Sequence, residues 1–252
     1  MKRVAKIVAV VLVLFVGALA AAYYSATWNK SEIRDGMSFN GVTVVKDDFV
    51  AAYIVDLTPA EVILIDAGND PEATAILAAL EKRGLEPDAV KAILLTHGDL
   101  DHILGAPRFP KAIVMMLPED VDLAEGRATR VPFGTPQPTG VKVSRLLHDD
   151  EVVSIGDLRI RVFAVPGHTP GSAAFLVNGV LFLGDSGETT KDGKLEGGLW
   201  FACSDLAGNR ESLRRLAEKL VSGSYDLKAI AGAHSGVLTN GIAPLAEFAA
   251  KR

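Results

Sequence analysis

Thr96-His97-Gly98-Asp99-Leu100-Asp101-His102 packs four potential metal ligands into six residues, directly after the apolar run Ala92-Ile93-Leu94-Leu95. A strand ending at Leu95 would release the chain into a loop in which His97, Asp99, Asp101 and His102 can turn toward one point. A helix would scatter them, because the pairs 97/101 and 99/102 point in different directions. Two imidazoles and two carboxylates suit zinc, iron or manganese, cations that accept nitrogen and oxygen donors together.

The same pattern recurs along the chain. Val62–Ile65 reads as a strand and ends in Asp66-Ala67-Gly68; Leu158–Val165 alternates as a half-buried strand and runs into Pro166-Gly167-His168-Thr169-Pro170-Gly171-Ser172. Ala173–Val177, Asn178-Gly179 and Val180–Leu183 form a hairpin by the preference of Asn-Gly for a two-residue turn, and it ends in Gly184-Asp185. The short strand Ala229–Ala231 ends at Gly232-Ala233-His234. Asp66, His97, His168, Asp185 and His234 thus each follow an apolar strand, where ligands gather in sheets covered by helices. His148, in Leu147-His148-Asp149-Asp150, reads as a solvated turn residue.

Between these points lie further strands at Val42–Val45, after the turn Asn40-Gly41, at Val50–Val55 and at Ala112–Leu117. A helix capped by Asp70-Pro71-Glu72 carries Ala73, Ile76, Leu77 and Leu80 at helical spacing and stops at Gly84; others are expected over Asn209–Val221 and near Pro244–Lys251. Gly126–Gly140, with Pro132, Pro136 and Pro138, is a loop of the length that often rims a functional site.

With 252 residues and 49% hydrophobic content, one large domain with a sizeable core is expected. A formal charge of −5 and no basic stripe argue against nucleic-acid binding. Cys203 is the single cysteine, which excludes an intrachain disulfide and a thiolate zinc cluster; it reads as a small apolar filler. Lys2, Arg3 and Lys6 precede the uncharged apolar run Ile7–Tyr24. Residues 1–28 therefore read as an export signal, with Ala20-Ala21-Ala22 as a possible cleavage point, or as a retained anchor holding residues 29–252 outside the cytoplasm; the length of the run favours the anchor.

From about residue 40 onward the chain resembles the metallo-β-lactamase superfamily of hydrolases. The family pattern H-x-H-x-D-H is matched by His97-x-Asp99-x-Asp101-His102 at three of four ligand positions, and Asp66, the Pro166–Ser172 loop, Gly184-Asp185 and His234 match the other marks in order. The resemblance implies an αββα sandwich, two facing mixed β-sheets with helices outside, and a binuclear site at one edge. It implies that His97, Asp99 and His168 hold one metal, that Asp101, His102 and His234 hold the second, and that Asp185 bridges them. Asp66 would orient a ligand histidine from behind.

Asp99 stands where most of the family has histidine. With Asp99, Asp101, Asp185 and a bridging hydroxide, two divalent cations are neutralised, so the bound water should be less acidic than in the all-histidine site. Iron or manganese then competes better with zinc, the first expectation for both ions. The implied activity is hydrolysis of a small ester, thioester, lactone or similar substrate by a metal-bridged hydroxide, with Asp101 orienting the nucleophile. Ser172 and Ser186 read as turn residues, and Lys191 and Lys194 as solvated lysines that could at most meet a substrate carboxylate. Two other classes are a diiron-type redox protein, for which no flavin-carrying segment is evident, and a membrane-tethered metal-binding protein without hydrolase activity.

Overall fold

The computed structural model describes residues 2–131, 133–223 and 225–250; Pro132 and Lys251 lie outside them. In chain order the elements are α1 (Lys2–Thr27), β1 (Ser38–Phe39), β2 (Val42–Asp47), β3 (Val50–Thr58), β4 (Glu61–Ile65), α2 (Thr74–Glu81), β5 (Val90–Leu94), α3 (Leu100–Ile103), β6 (Ile113–Met116) and α4 (Val121–Ala124). Then follow β7 (Arg145–Leu146), β8 (Val152–Ile155), β9 (Leu158–Ala164), β10 (Ala173–Val177), β11 (Val180–Phe182), β12 (Gly187–Thr189), β13 (Leu195–Gly197), α5 (Leu206–Ser222), β14 (Ala229–Ala231), β15 (Val237–Leu238) and α6 (Ala243–Ala250).

Alternation along the strands dictates the layering. In β4, Ile63 and Ile65 join one buried cluster while Val62 and Leu64 join another, as the two-residue side-chain period of a strand requires. The first cluster fills the space between two sheets, where Ile63, Ile65 and Leu94 meet Ile160, Val162, Phe175 and Phe182. The second packs Leu64, Ile93 and Leu95 under Ile76 and Leu80 of α2. A third packs Phe163, Leu181 and Ile230 under Leu213, Leu216 and Leu220 of α5 and Leu245 of α6. The order helix, sheet, sheet, helix is the expected αββα sandwich, and two-sided burial explains why β4 and β5 read as continuous apolar runs. Leu94 is fully buried, so Leu94→Ala should cost about 2–5 kcal/mol.

One sheet has the order β1-β2-β3-β4-β5-β6-β7, parallel from β4 through β7; the other has β15-β14-β11-β10-β9-β8, with β11 and β14 parallel. The Asn178-Gly179 turn has both residues at positive φ (54° and 77°), the geometry a two-residue hairpin demands. Two boundaries differ from the sequence reading. The long helix starts at Leu206 because the Asp205 carboxylate caps it, accepting from Gly208 N at 2.9 Å. Asn209 is instead a buried tether, donating to Ser186 O at 3.0 Å and accepting from Gly198 N at 2.9 Å. The second helix starts at Thr74, with Ala73 left-handed, while the Asp70 carboxylate accepts from Glu72 N and Thr74 N at 2.9 and 3.0 Å.

At one edge of the sandwich the two sheets are stitched together by Ala173 N donating to Thr96 O (2.7 Å) and Ala51 N donating to Ala233 O (2.9 Å). Each bond joins the start of a strand in one sheet to the loop after a strand in the other, and that edge carries the site.

Candidate metal centre

Each of the five strand ends picked out from the sequence delivers its residue to this edge. His97 leaves β5 through Thr96; Asp99 closes the loop before α3, whose first turn carries Asp101 and His102. His168 comes from the β9–β10 loop, Asp185 from the single turn after β11, and His234 from the turn after β14. Gly167 makes the β9–β10 loop possible: its φ is 135°, and a Cβ there would collide with the backbone nitrogen of Asn209.

The four site histidines turn Nε2 inward, and in three of them Nδ1 has an outer contact. His102 Nδ1 meets Asp66 Oδ2 at 2.9 Å, His97 Nδ1 meets Thr96 Oγ1 at 3.0 Å, and His234 Nδ1 meets Phe49 O at 3.2 Å. His168 Nδ1 has no hydrogen bond of good geometry, though Cys203 lies close enough to help raise its pKa. Cys203, read as a filler, is therefore packed against a site histidine. Asp66 also accepts from Thr96 N (2.7 Å) and Thr96 Oγ1 (2.8 Å), so it fixes both the strand end and the His102 ring from a left-handed backbone (φ 58°).

The inward atoms form overlapping triads whose members lie within 4.8 Å of one another: His97, Asp99 and His168; Asp101, His102 and His234; and His97, His102 and Asp185. Asp185 stands between the first two, with Oδ1 3.2 Å from His102 Nε2 and Oδ2 3.2 Å from His234 Nε2 and 3.5 Å from His168 Nε2. His97 Nε2, His102 Nε2 and Asp185 Oδ1 are buried without a hydrogen-bond partner. Burying such atoms unpaired is costly, and neutral imidazole with carboxylate is the donor set a divalent transition metal accepts, so these residues fit one.

The electrostatics agree. Burial alone would push the Asp185 carboxyl up, yet His234 and His102 hold it well below the usual range. Burial likewise opposes ionisation of Asp99 and Asp101, but His168 and His97 depress the first and His234 and His102 the second. Among the histidines, burial disfavours the charged form, but Asp99 lifts His168 to about 9 and Asp185 with Asp101 lifts His234 to about 10. Asp185 and Asp66 raise His102 well above its ordinary value against its own burial, while burial and neighbouring His102 lower His97. Three carboxylates thus call for positive charge, which protons on imidazoles supply and divalent cations would supply instead.

Three side chains were missed in the sequence. Arg130, in the proline-rich loop flagged as a rim, pairs with Asp99 through Nη1, while its Nη2 donates to the carbonyls of His168 (2.9 Å) and Ala202. Asp120, fully buried, accepts from Gly98 N (3.0 Å) and Gly171 N (2.8 Å), tying the His97 loop to the His168 loop. It follows the apolar strand β6, so the strand-end rule could have found it. Lys30 lines the cavity over the site and is paired with buried Glu188 at 2.6 Å. Lys191 and Lys194 bond instead to Trp28 O and Asp192. His148 is exposed, and Ser172 and Ser186 serve the loops, accepting from Thr169 N and donating to Val165 O.

Residues 45–227 match the family model of the metallo-beta-lactamase superfamily. The chain belongs to that superfamily. Among solved members, a metallo-beta-lactamase family protein from Thermus thermophilus has a TM-score of 0.60 at 26% identity, over 84% of this chain and 79% of its own. A B3 metallo-beta-lactamase with an active-site glutamic acid shares the fold at a TM-score of 0.64 and 20% identity, over 91% of each chain. The hydroxyacylglutathione hydrolase of Serratia proteamaculans (strain 568) is 30% identical over 151 residues, 60% of this chain and 51% of the relative. The chain spans about half the length of the curated relatives it matches.

Proposed function

We propose that this superfamily member is a metal-dependent hydrolase of a small acyl ester or thioester, acting at a binuclear site. His97, Asp99 and His168 would hold one ion, Asp101, His102 and His234 the other, and Asp185 both; zinc is the first choice, with iron and manganese as alternatives. The observation that carries this reading is the convergence of His97 Nε2, His102 Nε2 and Asp185 Oδ1, buried and unpartnered, within 4.8 Å. The likeness to a hydroxyacylglutathione hydrolase supports the acyl substrate.

Bound divalent cations would bring the pKa of a water toward about 7 and polarise an acyl carbonyl. Asp101, held ionised by His234 and His102, is an acceptor at neutral pH and is placed to orient the attacking water. Asp66 keeps the His102 ring aimed inward, and Phe49 does the same for His234 through its carbonyl and by stacking at 5.6 Å. The cavity above, about 500 Å³, has an apolar wall of Tyr23, Phe49, Leu199 and Phe201 against which an acyl chain can exclude water.

Residues Lys6–Ser25 form a helix long and apolar enough to cross a membrane, with its side chains unburied. We place it as an anchor holding the sandwich outside the cytoplasm. The test is metal analysis of the purified full chain together with a panel of ester, thioester, lactone, phosphodiester and β-lactam substrates. Acyl ester or thioester turnover that disappears with chelator and returns with metal is expected, and its absence from a metal-loaded preparation would refute the reading.

A further inference from the structure

Arg130 enters the site by a route that owes nothing to a neighbouring helix or strand. It leaves the loop between α4 and β7, and its Nη2 donates to two backbone carbonyls, those of His168 and Ala202. Backbone acceptors cannot retreat as side chains can, so the guanidinium is held at the rim whether or not Asp99 engages it. From there Nη1 meets Asp99 Oδ2 and lies 3.3 Å from His168 Nε2. Those two atoms, with His97 Nε2, are the donors of the first triad. One guanidinium nitrogen thus pairs with the Asp99 oxygen that a metal in this position would use and sits against the His168 nitrogen beside it. The second triad is different: among the described residues, no ion pair joins Asp101 to a lysine or arginine, and Lys30, the lysine lining the cavity, is tied to Glu188.

We propose that Arg130 competes with the metal for the His97, Asp99, His168 position, so that the two positions differ in affinity and fill in order, the Asp101, His102, His234 position first. The inference rests on the metal-site reading above. Filling the first position requires Nη1 to leave Asp99 while Nη2 keeps its carbonyls, a small rotation of the guanidinium. A planar fork with five donors can do both, whereas a lysine ammonium on the same stem cannot.

The test is titration of the metal-free full chain, in detergent, with Zn²⁺ by equilibrium dialysis and with Co²⁺ by visible absorption. The wild-type protein should bind one ion tightly and a second at least tenfold more weakly. Arg130→Ala should tighten the weaker step at least tenfold and leave the tighter step within threefold. Arg130→Gln, which keeps a polar group for the carbonyls, should do the same if the alanine variant folds poorly, and Arg130→Lys should give a smaller gain than Gln. Equal affinities in the wild-type protein, an unchanged weaker step in Arg130→Gln, or both steps shifting alike, as a merely distant charge would produce, each overturns the proposal. Hydrolysis is assayed on the same samples: stepwise binding as described without any turnover would refute the hydrolase reading alone, and turnover with two equal steps would refute the competition alone.

Discussion

Metal loading should expel protons, and the number can be worked from the site. His168 and His234 are lifted to about 9 and about 10, so both imidazoles are protonated in the metal-free protein at pH 7. A nitrogen that carries a proton cannot coordinate, so both protons must leave when the two positions fill. Two and three pH units correspond to about 3 and about 4 kcal/mol of competition at pH 7. The sign follows from the direction of the shifts: pKa values raised in the metal-free state weaken metal binding below them, so affinity rises with pH and levels off near pH 10. With two protons released, the overall binding constant should change roughly 100-fold per pH unit between pH 6.5 and 8.5, because each proton contributes a factor of ten. His102, also raised, can only add to this. Calorimetric titration with Zn²⁺ at pH 7 in buffers of different ionisation heat counts the protons directly. Release of fewer than one proton per loaded chain, or an affinity that does not move over that range, would refute the argument that carboxylates hold these histidines charged.

Asp66→Asn removes the charge that His102 Nδ1 and Thr96 share while keeping the shape, so metal affinity should fall about 10–100-fold with the fold intact, measured by competition with a chromophoric chelator. Asp120→Ala strips Gly98 N and Gly171 N of their buried acceptor and should cost roughly 3 kcal/mol or more in urea unfolding, whereas exposed His148→Ala should stay within about 0.5 kcal/mol. Cell fractionation should leave the intact chain with membranes; a soluble form starting near Tyr23 would show that α1 is a removed signal.

The αββα layering was legible because both periods were present: continuous apolar runs where strands are buried on two faces, and the helical spacing of Ile76, Leu77 and Leu80 or Leu213, Leu216 and Leu220. The candidate ligands were legible because chemistry and position coincided, each His or Asp standing just past an apolar strand. What stayed hidden was long-range pairing. Nothing around Arg130 distinguishes it from a solvated loop arginine, since its partners Asp99, His168 and Ala202 lie 31, 38 and 72 positions away. Lys30 fails the same way, being paired with Glu188 at a separation of 158. Asp120 is the instructive miss, because the strand-end rule applied to it as well as to Asp66, but a search for metal ligands has no use for a carboxylate whose task is to hold two loops together.

Arg130 also changes how the departure at position 99 should be understood. Taken alone, Asp99 adds one negative charge relative to histidine, and the expected consequence is a less acidic bound water. The ion pair with Arg130 removes that difference, because a carboxylate with its guanidinium is neutral as an unprotonated imidazole is neutral. The guanidinium stays on the carbonyls of His168 and Ala202, so its charge remains beside the site even if Nη1 lets go of Asp99. It follows that Asp99→His by itself would not recreate the commoner ligand set. It would leave a guanidinium without its carboxylate beside the proposed metal positions, a more positive centre than either. Only a double change, Asp99→His with Arg130→Ala, would match the charge of the all-histidine site, and residue 99 is therefore understood as one half of a pair.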